Sequence, residues 1–185
     1  MITVWIDELT PCLINAKTGK QVRTEVVKVT RPTILRKCTE DTGWFVNWPE
    51  LCKKYDVYAL VLAGEYDSIQ GLVAMHDEPN LDASYIVWMV SAPQNDRLLA
   101  GNDQMYKGVG GHLFAIAGMY SGLHHHQGDA VYGFAANARV LRHYVNTLGA
   151  MYVGTLHRYH FILCDEAMRN IEEVYNFDIS KHRLG

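Results

Sequence analysis

Three stretches of this chain predict a mixed α/β architecture. Residues 105–120 read MYKGVGGHLFAIAGMY, in which Gly108, Gly110 and Gly111 precede apolar side chains at Leu113, Ile116, Ala117 and Tyr120. That is the i, i+3, i+4, i+7 spacing of one helix face. Residues 85–92, closed by Pro93, are strand-like, so strand, loop, glycine-rich turn and helix follow in order. Residues 130–134 and 137–144 then repeat a short strand followed by a helix.

A glycine-rich turn ahead of a helix leaves main-chain N–H groups unpaired at the positive end of the helix dipole. Glycine lets a bulky anion come close to that main chain, so a phosphate or pyrophosphate is the expected ligand. A dinucleotide fingerprint needs glycine where Leu113 stands, and a phosphate-binding Gly-Lys-Ser/Thr is absent.

The stretch Met105-Tyr-Lys-Gly108-Val-Gly110 resembles the Gln/Arg-x-x-Gly-x-Gly/Ala signature of the GNAT (GCN5-related) N-acetyltransferases, with Met in the first position. Asn137 and Tyr144, seven residues apart after a strand, fit a second pattern of the same superfamily. There the terminal Gly-Phe becomes Gly149-Ala150, one residue late, which leaves His143 or Val145 as alternatives to Tyr144 facing the thiol. The resemblance spans residues 57–163 and is to bacterial or phage-type members. It implies a central, mostly antiparallel twisted sheet flanked by helices, with acetyl-CoA as cosubstrate and no metal. It further implies that Val90 and Ala92 pair with the pantetheine arm, and that Lys107, Gly108, Val109, Gly110, Gly111 and His112 surround the pyrophosphate. Asn137 completes the cofactor set, and Tyr144 is the implied catalytic acid.

Length and composition bound the rest. At 185 residues, 21.0 kDa and 49% hydrophobic, the chain suffices for one well-cored domain over residues 1–185. A net charge of −3 gives no footprint for nucleic acid, and no polybasic run suits an anionic membrane. MITVWIDELT lacks a signal-peptide core, and Cys12, Cys38, Cys52 and Cys164 are scattered without a C-x-x-C pair. A soluble, cytoplasmic protein is expected.

Taken in order, residues 1–31 read as a β extension that covers a sheet edge, with residues 2–6 and 11–14 extended and 15–19 a hairpin-type loop. Residues 32–38 read as a short helix with Pro32 in its first turn. Trp44, Phe45 and Trp48 are candidates for an acceptor wall, although aromatics in such numbers suit a core. Residues 57–62 and 69–75 form an antiparallel hairpin around the polar turn 64–68. The loop 93–105 carries Arg97, which with Lys107 could meet phosphate charge. His124, His125 and His126 read as a helix C-terminus, since consecutive residues do not converge on a metal. Residues 151–155 and 159–164 form a hairpin around 156–158, with His157 and His160 near the cleft. Asp165 is expected to cap a last helix with Met168, Ile171, Val174 and Tyr175 inward.

If the resemblance holds, an acetyl group passes from acetyl-CoA to a primary amine of a small molecule or protein. The amine must lose a proton, and Tyr144 would donate to the departing thiolate. The base stays open among Ser91, a water chain, Glu65, Asp77 and Glu78. The alternative is a non-catalytic GNAT-like module that binds CoA or mediates assembly. A toxin acting on aminoacyl-tRNA is disfavoured by the charge of −3. A homodimer would be ordinary for the superfamily.

Overall fold

The computed structural model describes residues 1–154, 159–175 and 183–184. The expected hairpin tip at 156–158, His157 included, lies outside the described residues. Residues 1–12 carry no regular element beyond a β-bridge at Ile2. After them come β1 (Leu13–Asn15), β2 (Gln21–Val22), β3 (Thr24–Val29), α1 (Trp48–Cys52), β4 (Asp56–Leu62), β5 (Glu65–Glu78) and β6 (Ala83–Ser91). The second half holds α2 (Arg97–Ala100), β7 (Tyr106–Lys107), α3 (Val109–Leu123), β8 (Val131–Phe134) and α4 (Ala138–Leu148). It closes with β9 (Met151–Tyr152), β10 (His160–Leu163), α5 (Glu166–Glu172) and β11 (Arg183–Leu184).

Among the described residues the main sheet has the order β11-β3-β4-β5-β6-β8-β10-β9, and a small sheet runs β2-β1-β7. Main-sheet pairing is antiparallel except at β11/β3 and β6/β8. This is the mixed, mostly antiparallel sheet with flanking helices that the sequence predicts. Strand periodicity explains its two faces. In β4, Val57, Ala59 and Val61 join Val27, Leu72, Val90, Trp44 and Trp48 in one apolar cluster. Tyr58, Leu60 and Leu62 turn the other way, to Val73, Met75, Ile86 and the helices α3, α4 and α5. A strand buried on both faces must read as an unbroken apolar run, and VYALVL does.

Several local expectations are corrected. The helix expected at 32–38 is a single 3-10 turn, Pro32–Leu35. A second turn, Glu40–Thr42, follows at once with its own reciprocal Thr39/Thr42 cap and stops at Gly43, φ 86°. Asp165 makes no side-chain cap; it takes φ 49° and α5 begins one residue later. The polar turn shrinks to the pair Ala63 and Gly64, because β4 ends at Leu62 and β5 starts at Glu65. The long loop contains α2 and short 3-10 turns. Residues 24–29 run inside the main sheet, and residues 1–3 enter an opening in that sheet instead of covering its edge. No helix among the described residues is long and apolar enough to cross a membrane.

Candidate functional site

The opening lies between β6 and β8. These strands pair in parallel only at Ser84↔Val131, Tyr85↔Tyr132 and Ile86↔Gly133. Beyond Ile86 they are bridged by the chain's own residues: Ile2 stands in parallel register with both Met89 and Ala135. On the β8 side, the Ile2 N–H donates to Phe134 O at 2.8 Å and Ala136 N–H donates to Ile2 O at 2.9 Å. On the β6 side, Met89 N–H donates to Met1 O and Thr3 N–H to Met89 O, both at 3.2 Å, and the Met1 nitrogen donates to Val87 O. Ile2, Val4 and Ile6 alternate inward and are at most 3% exposed.

The glycine turn is roofed by the continuation of the same segment. Gly108 caps α3 at φ 91°, a left-handed conformation that suits glycine. A side-chain carbon on Gly110 would lie 2.7 Å from the Trp5 carbonyl oxygen, and one on Gly108 would lie 2.9 Å from Thr10 Oγ1. At Gly111 it would meet the Tyr175 hydroxyl and Leu9. The close approach that glycine permits is therefore used here by the main chain of residue 5. Val109 is buried at 3% exposure. His112 is fully buried, its Nδ1 bonded to Gly108 O at 2.8 Å, and burial lowers its pKa to about 4. It is neutral at pH 7 and adds no positive charge to the turn.

Tyr144 points into the opening from α4. It is fully buried, edge-on to Phe114 and Phe161, and its hydroxyl donates to Val4 O at 2.6 Å. Burial raises its pKa well above the phenol value, so it stays a proton donor. Its neighbours face elsewhere. Val145 is exposed, and His143 stacks on Trp5 with ring centroids 3.8 Å apart. Asn137 caps α4, its Oδ1 accepting from Arg139 N and Val140 N at 3.0 Å each.

The remaining expected residues are spread out. Val90 stands opposite Leu72, and the Ala92 N–H donates to Gln70 O, so both engage β5. The main chain facing the opening belongs to Val87 and Met89, one residue out of step with Val90 and Ala92. Lys107 lies in β7 opposite Ile14. Ser91 lines a cavity of about 290 Å³ with Trp5, Asp7, Arg97, Asn137 and Arg139. A second cavity, about 300 Å³, adjoins it and holds Asp7, Arg97, Gln104 and Lys107. Burial raises the Asp7 carboxyl pKa, while the Gln104 hydrogen bond at 3.1 Å and the charges of Arg97 and Lys107 pull it back. Among the candidate bases, Asp77 is engaged by His126 at 2.7 Å and His124 at 3.6 Å; Glu65 starts β5 and is exposed. His126 is also held by Asp82 at 3.2 Å, so these histidines tie the end of α3 to β5. Trp44 and Trp48 are core, whereas Phe45 is exposed at φ 65°.

No protein-family model matches the chain, and no curated protein sequence matches it either. Solved structures do. One is a mutant of the AtaT toxin bound to the C-terminus of the antitoxin AtaR and to acetyl-CoA. It is 14% identical, with a TM-score of 0.51 over 82% of this chain and 97% of that one. The likeness, with the mixed sheet described above, shows a GNAT-like fold.

Proposed function

We propose that the chain is an acetyl-CoA-dependent N-acetyltransferase for a primary amine of a small molecule or protein. The observation that carries this reading is the parting of β6 and β8 with the Tyr144 hydroxyl aimed between them. In such a cleft the main chain of Val87 and Met89 offers the N–H and C=O groups that an amide-bearing arm needs. Lys107 and Arg97 supply charge at the mouth, beside the first turn of α3. Tyr144 holds a proton that a departing thiolate requires, and Ser91 or water relays the proton of the incoming amine. The carboxylate Asp77 is occupied by histidines, which favours the relay over that residue.

Residues 1–6 favour a second reading, a non-catalytic GNAT-like module. Burying Ile2, Val4 and Ile6 contributes about 1.5–3 kcal/mol each before ordering costs, so roughly 5–9 kcal/mol together. A cofactor held at micromolar Kd gains about 8 kcal/mol. Ordering costs take back part of the segment's gain, which leaves a cofactor able to compete with it for the same parting. The test is thiol release from acetyl-CoA over a panel of primary amines. Turnover that falls on the order of 100-fold in Tyr144→Phe, with KM little changed, supports transfer with Tyr144 as acid. Absence of turnover with every amine, in the intact chain and in one lacking residues 1–7, favours the module.

A further inference from the structure

Residues 1–7 fill the parting of β6 and β8 and cover the glycine turn, and we infer that they are a built-in competitor that holds the donor cleft until the acyl-CoA displaces them. The identity of the displacing ligand rests on the acetyltransferase reading above.

Three sets of contacts hold the segment there. Deep in the cleft, the main chain of residues 1–3 exchanges amide hydrogen bonds with Val87 and Met89 on one side and Phe134 and Ala136 on the other. A pantetheine arm presents amides of the same kind to a strand edge. Further out, the Val4 carbonyl takes the hydrogen bond of the Tyr144 hydroxyl at 2.6 Å, so the phenol is engaged by the segment while the segment is in place. At the mouth, the Trp5 carbonyl oxygen lies against Gly110 in the first turn of α3. The Asp7 carboxylate shares its cavity with Arg97 and Lys107. A carbonyl oxygen and a carboxylate thus crowd the mouth beside the glycine turn and its two cations, Arg97 and Lys107.

The segment is also built to leave from one end. Ile2, Val4 and Ile6 are buried, but Trp5 and Asp7 border both cavities, of about 290 and 300 Å³. No regular element follows until β1 at Leu13. Exchange can therefore begin at the mouth and proceed inward.

The experiment fixes or removes the segment. Ile2 and Ala135 are bridge partners on the helix-side face of the sheet, and Ile2→Cys with Ala135→Cys places two thiols across the bridge. Acetyl-CoA is titrated calorimetrically into the oxidised pair, the reduced pair and a chain lacking residues 1–7. The expected result is binding to the oxidised pair about 100-fold weaker than to the shortened chain, with the reduced pair between them. Equal affinity in the oxidised and shortened forms overturns the inference and leaves the acetyltransferase reading standing. No binding by any folded form overturns both. If the shortened chain does not fold, Asp7→Ala in the intact chain replaces it. Loss of the mouth carboxylate is expected to tighten acetyl-CoA binding about tenfold, and unchanged or weaker binding counts against the competitor.

Discussion

His143 decides how firmly the segment is latched. Its Nε2 accepts from the Ile6 N–H at 3.1 Å, so the ring is neutral with its proton on Nδ1, toward Thr147 Oγ1 at 3.1 Å. Trp5 lies flat on the ring, and the Arg139 guanidinium is 5.2 Å from the Trp5 centroid. Burial lowers the His143 pKa most, the Ile6 main chain and Asp7 act in the opposite sense, and Arg139 adds to the lowering. A histidine kept neutral by the fold stabilises it fully above its ordinary pKa of 6.5, and less as pH falls through that value. Amide exchange at Ile6 and Met89, corrected for intrinsic rate, is expected to accelerate between about pH 7 and about pH 5. His143→Gln keeps an acceptor that does not titrate and is expected to flatten the response. His112, with its pKa lowered to about 4, acts with the same sign on the whole fold, which is why the readout must be local. Rates at Ile6 that track global unfolding at every pH would contradict the latch.

At the scale of elements, α3 shows what periodicity hides. The sequence displays one apolar face, yet nearly every position of α3 is buried. Residues 5–12, β5 and α5 cover it from several sides. Gly118 is the tightest point toward α5, where a side-chain carbon would run into Met168 Cε and Glu172 Oε1. Both atoms are the far ends of flexible side chains, so Gly118→Ala is expected to change stability by less than about 1 kcal/mol, the gain in helix propensity offsetting the shift of Met168 and Glu172. Urea denaturation checks this, and a loss above about 3 kcal/mol would show that α5 cannot give way. The strands were legible because burial on both faces writes a continuous apolar run, as in residues 57–62. The turn Pro32–Leu35 was not, since tertiary demands on Leu35 and Trp48 override the local helix signal. Glycines 108, 110 and 111 announced a close approach to α3 but not its partner. Likewise the alternation in Met1-Ile-Thr-Val-Trp-Ile6 announces an extended chain with one apolar side. Which gap it fills is a matter of Met89 and Ala135, far away in sequence, and no local pattern carries that information.

For the molecule as a whole, the segment and an acyl-CoA donor are, on the proposed reading, alternative ways of completing one sheet. Removing residues 1–7 is expected to lower Tm by roughly 10 °C, from the lost burial net of ordering costs. Acetyl-CoA at about 100 times its Kd then adds about 2.7 kcal/mol and restores several degrees. The intact chain is expected to shift far less at the same concentration, and equal shifts in a thermal scan would argue against a shared cleft. The parallel register of Ile2 with Ala135 also sets a clock for the newborn chain. Ile2 leaves the ribosome long before Ala135 exists, and at ordinary elongation rates the interval is roughly ten seconds. During that time an apolar strand has no berth, so a chaperone or a neighbouring nascent chain can reach it before its own sheet does.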